Sequence, residues 1–175
     1  MEELIIRRAT PADAQAVLDH SNAVASESDN LTYGVGQLDV TYDQELAFIE
    51  KLSVADNAVM LLGFIGRELV SVLTLTGMHR PRVHHFSEVG ITVRRAYWGR
   101  GIGKHMMEKA EAFAYESGVI RRLHLRVRTD NERAVSLYEG LGYEMEGTIH
   151  RQFRFIDPDG RERFADVYAM GKNID

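Results

Sequence analysis

Apolar and polar positions along the chain follow two periodicities, which predict a mixture of strands and helices. Short apolar runs rich in β-branched residues, typical of strands, are separated by turn residues such as Gly66-Arg67. We predict strands over residues 4–8, 57–65, 68–76, 86–93 and 124–128, with two more near the end of the chain. Asp157-Pro158-Asp159-Gly160 is a turn sequence that joins this last pair.

Longer periodic segments predict helices, and recognisable signals mark where they begin. Thr10-Pro11 supplies an N-cap residue and a first-turn proline for one helix. Thr41-Tyr42-Asp43-Gln44 has the spacing of a capping box and predicts a second helix that runs toward Val54. A third, long helix is predicted over residues 102–117. The segment at about 27–40, which contains Ser, Asp, Asn and two glycines, is predicted to be a loop.

Three glycines at alternate positions, Gly99, Gly101 and Gly103, connect the strand at 86–93 with the long helix. Such a turn lets main-chain N–H groups surround a phosphate because no Cβ is in the way. The positive end of the helix dipole points to the same place and favours an anion there. The strand–turn–helix context therefore predicts an anion-binding loop rather than a simple reversal of the chain.

The spacing of these glycines excludes the two common nucleotide motifs. A P-loop needs a glycine five residues before its Gly-Lys pair and Ser or Thr after it, but Trp98 and His105 occupy those positions. A dinucleotide fingerprint needs G-x-G-x-x-G, and Met106 stands where its last glycine would fall.

A second motif lies about thirty residues further on. Residues 129–138 read Thr-Asp-Asn-Glu-Arg-Ala-Val-Ser-Leu-Tyr, and Leu-Gly-Tyr follows at 141–143. Asp130 or Asn131 is a suitable N-cap for a short helix, which a glycine at position 140 or 142 would end. Asn131 and Tyr138 are separated by about two helical turns, so they share one face of this helix.

Together the two motifs resemble the GNAT superfamily of acyl-CoA-dependent N-acetyltransferases, and the resemblance covers nearly the whole chain. The pyrophosphate loop of that family reads Gln/Arg-x-x-Gly-x-Gly/Ala, and residues 98–103 match both of its glycine positions. Trp98 replaces the Gln or Arg, which we interpret as the mark of a bacterial branch. The resemblance implies one GNAT domain over residues 1–175, with an α/β (α+β) fold. Its mixed, mostly antiparallel central sheet would have about seven strands, with helices on both faces.

The resemblance also implies acetyl-CoA as co-substrate. Backbone groups near 91–93 would bind the pantetheine arm, and main-chain amides of residues 100–104 would hold the pyrophosphate. Asn131 would contact the pantetheine arm or the reacting region. Tyr138 would donate its phenolic proton to the departing thiolate, although a tyrosine here could also simply pack. The predicted cofactor-binding residues are Ile91, Thr92, Val93, Gly99, Arg100, Gly101, Ile102, Gly103, Lys104, Asn131, Ala134 and Tyr138.

An alkylammonium must lose a proton before it attacks a thioester, so the site needs a base or a water chain. Glu88 is the first candidate, because many GNAT enzymes place a catalytic carboxylate or its water relay at the start of this strand. Strand alternation puts Glu88 on the face opposite Ile91 and Val93 unless a bulge intervenes, and the resemblance implies such a bulge. His84 and His85 are rival bases, and an ordinary half-exposed carboxylate is the alternative for Glu88.

The resemblance places the acceptor site under the predicted loop at 27–40. Glu27, Asp29 and Tyr33 are its predicted substrate-binding residues, because acidic side chains could hold an ammonium group. A plain polar loop is the alternative. Cationic side chains occupy alternate positions along the strand at 124–128 and just before it. They could bind a phosphate of CoA or an acidic partner, or they could be solvated. The row consists of Arg122, His124, Arg126 and Arg128.

Composition narrows the class of protein. With 45% hydrophobic and 27% charged residues, the 175-residue chain has the profile of a globular protein, and its net charge of −5 argues against a nucleic-acid partner. The absence of cysteine excludes disulfides, a cysteine zinc site and a cysteine acyl-enzyme. No metal site is predicted, since His84 and His85 lack a third ligand at suitable spacing. No apolar run approaches the roughly 20 residues of a membrane span, so a cytoplasmic location without membrane contact is expected.

The sequence thus predicts an acetyl-CoA-dependent N-acetyltransferase that acts on a primary amine of a small molecule or amino acid. Direct attack in a ternary complex is expected, because holding the two reactants together supplies much of the rate advantage. A non-catalytic acyl-CoA sensor and a protein N-terminal acetyltransferase are the alternatives. Relatives commonly form homodimers, so a homodimer is also expected.

Overall fold

A computed structural model describes residues 3–175, and its centre is one sheet of seven strands. The strands follow the order β1-β2-β3-β4-β5-β7-β6 across the sheet, and every neighbouring pair is antiparallel except β4 and β5. This confirms the predicted mixed, mostly antiparallel sheet. The strands are β1 (Leu4–Arg8), β2 (Val59–Ile65), β3 (Glu68–Gly77), β4 (Phe86–Val93), β5 (Arg122–Arg128), β6 (Glu144–Ile156) and β7 (Glu162–Asn173).

Four α-helices lie within the described residues: α1 (Ala14–Glu27), α2 (Tyr42–Val54), α3 (Ile102–Ser117) and α4 (Glu132–Gly140). The predicted capping box is present, because the Thr41 side chain accepts from Gln44 N at 3.2 Å and Gln44 Oε1 accepts from Thr41 N at 2.8 Å. Thr10 does not open α1 directly. A short 3₁₀ turn (Pro11–Asp13) intervenes, since the Asp13 carboxylate folds back to accept from Thr10 N at 2.7 Å.

Helices cover both faces of the sheet, as predicted, and each face has its own apolar core. On one face α3 packs over the middle strands, with Met106 and Met107 fully buried against Leu73 and Leu123. On the other face α1 and α2 cover β2 and β3, where Ile49 packs among the buried residues. Each such side chain contributes about 1.5–3 kcal/mol by leaving water. The two helical layers hold the sheet from both sides and fix the strands that carry the site.

The parallel pair β4–β5 is joined only over its first residues. Phe86 pairs with Arg122, Ser87 with Leu123 and Glu88 with His124; in the described part of the chain no pair follows. Both strands nevertheless continue, β4 to Val93 alongside β3 and β5 to Arg128 alongside β7. A gap therefore opens in the middle of the sheet.

The bulge that we expected in β4 is absent, so that prediction is wrong. The pairing of β4 with β3 runs without a register shift from Ser71↔Val93 to Gly77↔Ser87. Uninterrupted alternation keeps Glu88 on the face opposite Ile91 and Val93. The space that a bulge would have provided comes instead from the separation of β4 and β5.

Among residues 3–175, no helix combines the length and the apolar character that crossing a bilayer would require.

Candidate active site

A cleft of about 650 Å³ occupies the gap between β4 and β5. Six parts of the chain line it: α1 with the loop that follows, β3, the end of β4, the glycine loop with the start of α3, the end of β5, and α4. The two sequence motifs, more than twenty-five residues apart, thus meet in one place. Most of the predicted cofactor-binding residues line this cleft: Ile91, Thr92, Val93, Gly99, Gly101, Ile102, Gly103, Lys104, Asn131, Ala134 and Tyr138.

The glycine loop has the backbone geometry that an anion site needs. Gly99 and Gly101 adopt φ of 75° and 77°, in the left-handed region that disfavours other residues. His105 N is the first amide of α3 to find a helical acceptor, Gly101 O at 3.1 Å. The amides of Ile102, Gly103 and Lys104 precede it and have no acceptor within the helix. These N–H groups, together with the positive end of α3, are available to a diphosphate in the cleft.

Trp98, which replaces the Gln or Arg of the family loop, has a definite structural role. Its indole Nε1 donates to Val93 O at 2.8 Å, which ties the loop back to the end of β4. The guanidinium of Arg133, from α4, lies over the indole face with Cζ 3.8 Å from the ring centroid. Such a cation–π contact joins the two motifs and holds the positive charge of Arg133 at the cleft wall.

Close packing brings α4 against the glycine loop. A Cβ on Gly103 would come within 3.2 Å of Leu137 Cδ2, so glycine permits the approach. Asn131 is the N-cap of α4, and its Oδ1 accepts from Ala134 N at 3.3 Å. The side-chain nitrogen of Asn131 makes no hydrogen bond among residues 3–175, and it remains available to a group in the cleft. Asn131 rather than Asp130 therefore caps this helix.

Tyr138 lies on the cleft side of α4 and is only 7% exposed. Burial raises the pKa of its hydroxyl to about 12, because the phenolate would be poorly solvated there. The side chain consequently keeps its proton throughout the neutral range. A neighbouring tyrosine, Tyr143, packs with its ring centroid 6.0 Å away, and burial also raises the pKa of that hydroxyl.

Glu88 and His124 lie at the closed end of the gap. They form the last pair between β4 and β5, and both residues are just outside the cleft lining. His124 packs edge-on against Phe86, with ring centroids 5.0 Å apart, and its Nε2 is buried without a hydrogen-bond partner in the described residues. Burial lowers the pKa of His124; the charge of Glu88 opposes that shift, and the charge of Arg126 adds to it. An unprotonated imidazole and a carboxylate are thus adjacent where the strands part.

The two rival histidines lie away from the cleft. The His84 ring is engaged by Asp56 Oδ1 at 2.9 Å and by Met78 O at 2.9 Å, in the turn between β3 and β4. His85 is exposed, and neither histidine lines the cleft. His124 was not predicted from the sequence as a base, because it appeared only as one member of the cationic row.

The predicted substrate residues are in three different environments. Glu27 lines the cleft, but its carboxylate accepts from Arg94 Nε at 2.9 Å and from Arg95 N at 2.7 Å. Burial alone would raise the pKa of Glu27, and these two hydrogen bonds lower it on balance. Tyr33 lines the cleft and is half-buried. Asp29 lies in an adjoining recess, where its carbonyl accepts from Arg128 Nη1 at 2.9 Å.

Among the predicted cofactor residues, Arg100 alone lies outside the cleft lining. Its guanidinium instead packs over the Tyr97 ring, with Cζ 4.9 Å from the centroid. Several cleft residues were not predicted as site residues. They include Ser21, Val24, Leu31, Thr32, Thr74, Val89, Gly90, Arg133 and Leu137. Arg126 and Arg128, which also line the cleft, were considered only as members of the cationic row.

Within residues 3–175, no group of three histidine or carboxylate side chains is arranged to hold a metal ion.

Comparison with known proteins gives a consistent result. The family model described as "Acetyltransferase (GNAT) family" matches residues 23–143, a span that contains both motifs. The L-amino acid N-acetyltransferase AaaT of Escherichia coli (strain K12) is 26% identical over 149 residues, which cover 85% of this chain and 87% of that protein.

Solved structures agree over almost the full chain. The acetyltransferase of the GNAT family from Streptococcus pneumoniae superposes with a TM-score of 0.92 at 34% identity, and the match covers 99% of this chain and 100% of that one. The yncA protein of Salmonella typhimurium, solved with its cofactor acetyl-CoA, superposes with a TM-score of 0.83 at 17% identity. That match covers 98% of this chain and 94% of the yncA chain, and it shows likeness of fold.

Proposed function

This chain belongs to the acetyltransferase (GNAT) family and is an acyltransferase, and from that premise we propose that it moves the acetyl group of acetyl-CoA to a primary amine of a small molecule or amino acid. We propose further that the amine attacks directly, with both reactants bound in the cleft. The observation that carries this proposal is the gap between β4 and β5. Residues 102–104, whose amides have no acceptor within α3, line one end of it.

The residues of the cleft fit acetyl-CoA. The left-handed Gly99 and Gly101 keep side chains out of the loop, and a negatively charged diphosphate complements both the free amides and the start of α3. Lys104 and Arg133 add positive charge to the same part of the lining. Beyond the loop, the edge of β4 that faces the gap exposes main-chain groups of residues 91–93 to the amides of a pantetheine arm. When bound, acetyl-CoA supplies an acetyl group that is activated as a thioester.

Acetyl transfer requires one group that donates a proton to the departing sulfur and another that accepts the proton lost by the ammonium. Tyr138 Oη holds a proton at neutral pH and would donate it to the departing sulfur. At the closed end of the gap, the Glu88 carboxylate would take the proton that the ammonium loses, directly or through water. His124 Nε2, which is next to Glu88 and is buried without a hydrogen-bond partner in residues 3–175, is the rival base. Because both reactants are held together, no acyl-enzyme intermediate is needed.

We also propose that residues 1–175 work as one acetyltransferase domain, which is supported by a single sheet that includes strands from both halves of the chain. A cytoplasmic location and a homodimer stay predictions. The exposed apolar side chains of β6 and β7, such as Met145, Ile149 and Phe164, offer a surface for self-association. Light scattering during gel filtration tests that prediction.

A thiol-release assay tests the proposed function. Acetyl-CoA is incubated with the protein and a panel of amino acids, polyamines and N-terminal peptides, and free CoA is measured. We expect acceptor-dependent release with at least one small amine or amino acid. Release with peptides alone would favour an N-terminal acetyltransferase. If no acceptor in the panel causes release of CoA, although acetyl-CoA still binds in a calorimetric titration, the result would favour a sensor.

A further inference from the structure

One arginine of the cleft, Arg126, has no hydrogen-bond or ion-pair partner among residues 3–175. The three other cations of the lining are engaged. Arg128 bonds to the Asp130 carboxylate at 2.6 and 2.9 Å, and Arg133 lies over the Trp98 ring. Lys104 Nζ lies 3.8 Å from Glu108 Oε1. Arg126 is exposed, lines the cleft, and makes no hydrogen bond or ion pair within the described residues. Its guanidinium is therefore free to bind an anion that enters the cleft.

In the part of the chain that the structure describes, the cleft lining has no unpaired carboxylate. Over residues 3–175 the cleft lining contains one carboxylate, that of Glu27, and Arg94 and Arg95 already occupy both of its oxygens. Burial raises the pKa of Tyr33, and the charge of Glu45 on α2 adds to that rise, but Glu45 is outside the lining. A site for a polyamine would need unpaired carboxylates to balance several ammonium groups. Instead of unpaired carboxylates, this cleft contains the free guanidinium of Arg126.

The position of Arg126 relates it to the reacting end of the cleft. Arg126 and His124 are two residues apart on β5 and share one face of the sheet, opposite the buried Leu125 and Val127. Two residues of strand correspond to about 7 Å. A carboxylate held by Arg126 would therefore lie within one small molecule's length of the Glu88–His124 pair.

We propose that Arg126 binds the carboxylate of the acceptor, and that the acceptor is a free α-amino acid. The proposal rests on the proposed acetyltransferase function and narrows its substrate class. A guanidinium binds a carboxylate through two parallel hydrogen bonds, which fix the orientation of the bound group. In an α-amino acid the carbon that bears the carboxylate also bears the amine. Anchoring one group thus presents the other to the gap, near Glu88 and His124.

This assignment makes three classes of amine distinguishable. A free amino acid carries the carboxylate next to its amine. The corresponding amino-acid amide and the N-terminus of a peptide carry the same amine without that charge. A polyamine carries additional positive charge, which Arg126 repels.

The test compares amino acids with their own amides. Steady-state rates are measured with the twenty L-amino acids, and then with the amide and the decarboxylated amine of each amino acid that reacts. We expect kcat/KM for the amino acid to exceed that for its amide at least tenfold. In Arg126→Gln, KM for the amino acid should rise by about 10–100-fold and kcat should change little, because a ground-state anchor is lost. KM for acetyl-CoA and the rates with amides should stay as in the parent.

Two variants and one binding measurement complete the design. Arg126→Lys retains the charge but not the paired hydrogen bonds, so it should recover part of the affinity. Arg121→Gln removes an equal charge at an exposed position outside the cleft and should leave all rates unchanged. Calorimetric titration of the CoA-saturated protein with the same amino acids reports binding without catalysis, and we expect that binding to be lost in Arg126→Gln.

The outcomes separate this proposal from the proposed function. Equal rates for amino acid and amide, or a preference for polyamines, would overturn the role of Arg126 while the acetyltransferase function stands. An equal loss in Arg121→Gln would also overturn it. Binding of amino acids that depends on Arg126, without release of CoA from acetyl-CoA, would support the anchor and contradict the acetyltransferase function.

Discussion

Glu88 and His124 face each other at the last paired position of β4 and β5, and the strands separate immediately after them. This pair therefore marks the closed end of the cleft, on the side of the sheet opposite the buried Val89. Burial keeps His124 unprotonated, since it lowers the pKa of the ring, while the Glu88 charge opposes that shift. The two candidate bases of the site are consequently neighbours.

Replacement of Glu88 by glutamine tests the assignment of the base. We expect kcat to fall by about 10²-fold, which is the usual contribution of a positioned base. Part of the rate should return at high pH, because the amine then loses its proton to solvent. The measurement is the pH profile of kcat/KM, with the exposed Glu116→Gln as the matched control. A profile identical to that of the parent would move the base role to His124 or to water, and His124→Asn then tests the histidine.

Tyr138→Phe removes the proposed proton donor and preserves the ring. Turnover should fall by about 10²-fold or more, since the sulfur would leave without a proton. The dissociation constant for acetyl-CoA should stay close to that of the parent. Tyr143→Phe is the control, because it removes another buried hydroxyl, from a ring 6.0 Å away, that does not line the cleft. If turnover in Tyr138→Phe equals that of the parent, Tyr138 has no part in the chemistry.

Gly101→Ala tests the loop, and the chain provides a matched control. Gly101 and Gly118 have positive φ of 77° and 65°, and a Cβ on either would be free of clashes. Alanine in this backbone region costs about 1–2 kcal/mol, so both variants should lose similar stability. Relief of that strain in Gly101→Ala would rotate the amides of the loop away from each other. We expect at least tenfold weaker binding of acetyl-CoA in Gly101→Ala only, as measured by calorimetry, and equal affinities would contradict the role of the loop.

His20 makes the fold sensitive to acid. It is buried on α1, with Nδ1 at 3.3 Å from Leu69 O and Nε2 at 2.9 Å from Thr92 Oγ1. A carbonyl only accepts, so Nδ1 carries the proton and Nε2 accepts from the threonine hydroxyl. Burial lowers the pKa of His20 to about 4, against about 6.5 in an unfolded chain.

Between these two pKa values the unfolded chain binds a proton that the folded chain excludes. The stabilising effect is therefore complete above about pH 6.5 and is lost as pH falls toward 4, by up to about 3 kcal/mol. Urea unfolding at pH 7 and pH 5 measures the loss. His20→Gln should show a smaller difference between the two pH values than the parent, and the exposed His79→Gln should match the parent. The same free energy of unfolding at both pH values in the parent would contradict this account.

Local signals in the sequence predicted most elements of the fold. The capping box at Thr41 and Gln44 and the cap at Asn131 depend on hydrogen bonds over three residues, so the chain encodes them locally. The alternate glycines likewise predicted the loop before α3, because positive φ at Gly99 and Gly101 is a local property.

Contacts between distant residues could not be predicted in the same way. The carboxylate of Glu27 was expected to bind substrate, but Arg94 and Arg95, nearly seventy residues further on, occupy it. The gap between β4 and β5 replaced an expected bulge, since strand separation depends on the whole sheet. Arg126 appeared only as one member of a charged row. Arg126 stands out because the neighbouring arginines of the cleft have partners within the protein, and a local sequence pattern cannot show such contacts.

We expect the main-chain amides before and within the first turn of α3 to bind the diphosphate of acetyl-CoA. Two-dimensional ¹H–¹⁵N NMR of the labelled protein, titrated with acetyl-CoA, reports on each of these amides. We predict that the largest downfield amide shifts occur at residues 99–104, saturate with one equivalent of ligand, and are absent with acetate. Saturable binding whose largest shifts lie elsewhere in the chain, with residues 99–104 unmoved, would contradict the claim.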